Sequence, residues 1–72
     1  MKAFLFWYKS SENATTEYIN IIAYTLKQAY FLFANNGYTN MYDYGYACDY
    51  IEQAEFKKAH NIGEILGQNA II

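Results

Sequence analysis

The stretch YTNMYDYGYACDYIEQ, residues 38–53, decides how this chain is read, because it carries tyrosine at 42, 44, 46 and 50 on one alternating register. Side chains of a strand alternate between its two faces. Tyr42, Tyr44, Tyr46, Cys48 and Tyr50 therefore share one face of a strand, and Met41, Asp43, Gly45, Ala47, Asp49 and Ile51 share the other. A glycine inside such a strand marks a bulge or a place where another backbone or ring lies close.

The same period governs the chain before this stretch. AFLFWYK, residues 3–9, puts Phe4, Phe6 and Tyr8 on one face and Ala3, Leu5 and Trp7 on the other. With both faces apolar, it is a central strand or an edge with a sticky outer side. SSENAT, residues 10–15, is a polar turn, and TEYINIIAY, residues 16–24, alternates again, so the two strands make an antiparallel hairpin. Thr25-Leu26-Lys27-Gln28 fits a capping box, and Leu26, Ala29, Tyr30 and Phe33 follow as one helical stripe. Asn35-Asn36-Gly37 closes it, with Gly37 suited to the left-handed cap. The spacing predicts a helix over 25–36.

After residue 53 the pattern turns helical once more, with Phe56, Ala59, Ile62, Gly63 and Leu66 forming a second stripe. QNAII, residues 68–72, reads as a frayed tail or a short strand that completes the sheet. The order β-β-α-β-α predicts one α+β domain over 1–72, a small antiparallel or mixed sheet of about three strands with two helices on one face. The other face is expected to lie open and to be rich in Tyr and Phe.

Composition excludes several classes of function. The chain has nine Tyr, five Phe and one Trp, five Lys, no Arg and a formal net charge of −2. Nucleic-acid affinity needs clustered cations, and only Lys57 and Lys58 are adjacent, so nucleic acid is a poor partner. Stacking of bases on the tyrosine row is opposed by Asp43, Asp49, Glu52 and Glu55 around it. No apolar run approaches the length needed to span a bilayer, so no membrane partner is expected. MKAFLFWYK lacks a cleavage site for a signal peptide. One cysteine excludes an internal disulfide and points to a reducing, cytoplasmic setting, where the sequon Asn13-Ala14-Thr15 has no meaning.

The absence of Arg, Val and Pro beside abundant Tyr, Asn, Ile and Phe resembles the codon bias of an AT-rich genome. For catalysis the candidates are Cys48 and His60, without an orienting motif around them. His60 and Glu64, one helical turn apart, are too few for a metal site and read as a solvated helix face with Lys57. Asp43 and Asp49, six residues apart on a strand, stand roughly 20 Å apart, too far to act as a pair. No catalytic, metal or cofactor site is expected, and the chain is read as non-enzymatic.

A protein-binding role fits better, since Tyr and Trp are favoured at interface hot spots. The expected partner-binding residues are Tyr42, Tyr44, Tyr46, Tyr50, Asp43, Asp49 and Trp7, with Tyr42 and Tyr50 partly buried and Tyr44 and Tyr46 available. The leading expectation is a small interaction module that binds and inhibits or modulates a larger host protein, of the kind phages and mobile elements carry. The alternatives are a self-associating homo-oligomeric subunit and, third, a nucleic-acid or small-ligand binder.

Overall fold

The computed structural model describes residues 1–69 and Ile72. Among these residues it holds one antiparallel sheet of four strands and one α-helix. The strands are β1 (Lys2–Lys9), β2 (Glu17–Ala23), β3 (Asp43–Glu52) and β4 (Ile65–Gly67), with α1 (Leu26–Asn35) between β2 and β3. The spatial order is β3-β1-β2-β4, so the apolar β1 is a central strand, as its two apolar faces allow.

Cross-strand register sorts the side chains into two layers. Phe4 lies opposite Ile21 and Phe6 opposite Ile19, which puts these four on the first face. Tyr44, Tyr46 and Tyr50 of β3 stand opposite Tyr8, Phe6 and Phe4, and so belong to that face too. α1 covers it, with Ala29 and Phe33 fully buried. The Phe33 ring stacks on Phe6 at a centroid separation of 4.6 Å. Burying side chains of this size contributes about 1.5–3 kcal/mol each.

The helix begins and ends as its sequence dictates. Thr25 Oγ1 accepts from the Gln28 N–H at 3.1 Å, while Gln28 Oε1 accepts from the Tyr24 N–H at 2.7 Å. The return contact thus falls one residue before the cap itself. At the other end Gly37 has φ +87°, the left-handed conformation that glycine adopts without steric cost. A 3₁₀ turn at Tyr38–Asn40 follows, and the Tyr38 ring stacks on Phe33 at 5.1 Å.

The second face departs from expectation. It is not an open aromatic surface: Ala3, Ile22 and Ile72 are buried there, with Met1, Ile51, Phe56, Ile62 and Leu66 packed against them. The predicted second helix does not form. Gln53–Glu55 is a 3₁₀ turn closed by reciprocal Glu52–Glu55 capping, and Phe56 leaves it with extended backbone, φ −67° and ψ 136°. Gly63, at φ +92°, then turns the chain so that its N–H reaches the Ile22 carbonyl at 2.8 Å. That turn ends in β4, a fourth strand where the sequence predicted the last turns of the helix. Phe56, Ile62 and Leu66 are inward-facing, but through an irregular cover and a short strand. Of the 68–72 segment, Ala70 and Ile71 lie outside the described residues, and Ile72 accepts a hydrogen bond from the Lys57 N–H.

β3 carries an irregularity that pattern reading missed. Between the pairs Phe6–Tyr46 and Phe4–Tyr50, β1 supplies Leu5 alone while β3 supplies Ala47, Cys48 and Asp49. Two extra residues preserve side-chain parity, so the tyrosines on either side keep one face. Cys48 takes φ +51° to accommodate them.

Gly45 has the other role its position allows, since a Cβ there would stand 2.9 Å from the Trp7 ring. Gly45→Ala is therefore expected to destabilise the protein by about 1–3 kcal/mol in urea unfolding. In a Trp7→Leu background the same change should cost less than about 0.5 kcal/mol, since the ring it would strike is gone.

Candidate functional site

The row of tyrosines runs along β3, with Tyr44, Tyr46 and Tyr50 opposite Tyr8, Phe6 and Phe4 of β1. The helix stands over the β1–β2 half of the sheet, and its Phe33 and Tyr30 both reach Phe6, at 4.6 and 4.9 Å. Tyr46, opposite Phe6, is drawn in with them, its ring 5.5 Å from Phe6 and 6.3 Å from Phe4. Burial raises its hydroxyl above the ordinary tyrosine range, and Cys48 and Asp49 add to the rise. Tyr44 packs by one edge on Phe33, 5.7 Å away, and is 39% exposed.

Beyond the helix the rings come free. Tyr50 is 48% exposed, although it stands 6.0 Å from Phe4 and carries the Lys2 ammonium 4.7 Å over its ring. Tyr42, just before β3, is 60% exposed. The expectation that Tyr42 and Tyr50 are the partly buried pair and Tyr46 an available ring is thus corrected. Burial follows packing on β1: the Tyr46 ring meets both Phe4 and Phe6, whereas the Tyr50 ring meets Phe4.

The remaining expected residues divide. Asp43 and Asp49 are exposed on β3, and Asp43 Oδ1 accepts from the Tyr44 N–H at 2.9 Å. Trp7 is half-buried on the second face over Gly45, away from the tyrosine row. Phe31, 65% exposed, and Tyr24, 63% exposed, add aromatic surface that the site prediction omitted. The signal was present in the helical period, because residues 26, 29, 30 and 33 take the inner stripe and leave Phe31 outside it.

β3 also forms one edge of the sheet. Seven of its ten residues pair with β1 on one side, and none pairs with a strand on the other among the described residues. Every charged residue on it is acidic: Asp43, Asp49 and Glu52.

Cys48 and His60 are not brought together. Cys48 is exposed in the β3 bulge, whereas His60 is buried, with its Nδ1 3.4 Å from Glu64 Oε1 and its ring 5.6 Å from Phe56. The solvated helix face expected for His60 is therefore corrected to a buried ring in the loop before β4. Its Nε2 has no partner among the described residues. Glu64 also accepts from the Asn61 N–H, and these two hydrogen bonds hold its carboxyl below the ordinary glutamate range, the Asn61 contact contributing most. No group of three or more His, Cys, Asp or Glu side chains among the described residues is arranged to hold a metal ion. No helix among them is long and apolar enough to cross a membrane.

Hollows lined by described residues include one of about 290 Å³, formed by Gln53, Phe56, Lys58, Ala59 and His60. Another, about 150 Å³, lies at the β3 bulge and is lined by Leu5, Asn20, Asp49, Tyr50, Ile51 and Gln68. No family model, curated protein or solved structure matches the chain.

Glu64 gives a pH test of the loop before β4. Its folded pKa is lowered, so its contribution to stability is present above the unfolded value, about 4.3, and is lost as pH falls through the folded value. Urea midpoints measured from neutral pH downward should therefore fall for the wild type. Glu64→Gln should start lower at neutral pH and lose less on acidification. Parallel curves for the two proteins would show that the Asn61–Glu64–His60 contacts contribute nothing to the fold.

Proposed function

We propose that this protein is an interaction module without catalytic activity, which binds another protein along the outer edge of β3 and the aromatic rim beside it. The observation that carries this reading is the unpaired ten-residue edge of β3, whose charges are all acidic. An exposed strand edge is a template for an added strand, from a partner or from a second copy. Tyr44 and Tyr50 supply exposed rings along the same strand, with apolar area and few rotors to immobilise.

Charge favours a different protein over a second copy. Pairing β3 with itself in parallel would set Asp43, Asp49 and Glu52 each against its own copy, and antiparallel pairing about the strand centre would set Asp43 against Glu52, with no cation on the strand to relieve them. Like charges opposite one another destabilise a pair of strands. An extended segment carrying Lys or Arg meets no such opposition, and electrostatic attraction would speed its approach. Binding of this kind occludes or bridges a larger protein.

An array of extended peptides tests the reading. Peptides that alternate apolar residues with Lys or Arg should be retained, and acidic peptides of the same pattern should not. Reversing the edge with Asp43→Lys, Asp49→Lys and Glu52→Lys should invert that preference. Indifference of the variant to peptide charge would count against the edge as the site. A stable dimer of the wild type in light scattering at about micromolar concentration would instead favour self-association.

A further inference from the structure

Asn20 occupies a costly position. It sits in the middle of β2 between Leu5 of β1 and Leu66 of β4, only 4% exposed. None of the side-chain hydrogen bonds among the described residues engages its carboxamide or that of Gln68. A polar side chain so little exposed is costly in the middle of a sheet, and an apolar residue there would simply extend the second face. Both carboxamides border the cavity of about 150 Å³ at the β3 bulge.

We propose that this cavity binds an alkyl cation, a guanidinium or primary ammonium on a methylene stem. Asp49 is the one charged residue of the lining, so the cavity favours a cation and opposes an anion. The carboxamide oxygens of Asn20 and Gln68 are acceptors, and such a head group offers only donors. Leu5 and Ile51 supply apolar wall for the stem. The volume corresponds to about five waters, enough for one long side chain. The chain's own Lys2 rests on the Tyr50 ring and does not line the cavity.

The bulge belongs to this site. Its two extra residues place Asp49 at the cavity, and Cys48 adopts a left-handed backbone, φ +51°, in doing so. Bulges commonly re-aim side chains, and uncommon backbone conformations gather at binding sites. The head group could belong to an arginine or lysine of a bound protein, or to a free polyamine; the chemistry recognised is the same.

The test is a titration of ¹⁵N-labelled protein, followed at the side-chain amides of Asn20 and Gln68. The probes are Nα-acetylarginine N-methylamide, the corresponding lysine compound, putrescine, and the neutral isostere Nα-acetylcitrulline N-methylamide. Saturable shifts with a cation are expected, with the citrulline compound about tenfold weaker and Asp49→Asn weakening the cation about tenfold. Asn20→Leu should abolish the response, and a retained amide spectrum shows that the variant is folded. A response to the capped amino acids alone assigns the site to a partner's side chain, and a response to putrescine alone assigns it to a free polyamine. No saturable shift with any cation at about 10 mM, or equal binding of the neutral isostere, overturns the proposal. The probes are single residues, too short to pair with a strand, so their failure leaves the β3-edge reading to its own test.

Discussion

The stacking of Phe33 on Phe6 is the contact on which the rest of the fold depends. Phe6 lies in the central strand and Phe33 in the helix, and both are fully buried. Their overlap sets where α1 stands across the sheet. Because α1 stands over β1 and β2, the outer half of the same face is left to β3 and its tyrosines. Tyr46 fills the flank of the stack, Tyr38 caps its far side, and Tyr50 is left beyond its reach.

The second face solves a different problem. Among the described residues a single helix covers one side of the four-stranded sheet, so the other side must be covered by segments without helix. The segment after β3 does so in irregular form, pinned by the Ile22–Gly63 and Ile22–Glu64 backbone bonds and by the Glu64 side chain on Asn61. It shields Ala3 and Ile22 and leaves the region around Asn20 and Leu5 hollow. One face is thus closed by aromatic packing, and the other is closed only in part, with a polar group at the gap.

Most of the fold was legible in the sequence because its signals were local. The hairpin, the helix with its threonine cap and glycine stop, and the third strand each follow from periods of two or 3.6 and from turn chemistry. The second helix was misread because Phe56, Ile62 and Leu66 satisfy a helical stripe and an inward-facing irregular segment equally well. The left-handed turn at Gly63 decides between them, and it depends on pairing with Ile22, far away in sequence. The bulge at Cys48 was hidden for a related reason: two extra residues leave the alternation intact. Of the candidate site, the tyrosine register and the acidic character of β3 could be read directly. Which rings are free could not, since that depends on which core rings each tyrosine meets once strands and helix are assembled.

Strand addition at β3 requires an open edge, and amide hydrogen exchange on the isolated protein tests that most directly. An open edge predicts alternating protection along residues 43–46 and 50–52 on either side of the bulge, with amides facing β1 slow and amides on the outer side exchanging freely, against uniformly slow exchange in β1. Uniform protection along β3 at about micromolar protein would mean that another strand already covers it, and would contradict the reading of β3 as the free surface of the molecule.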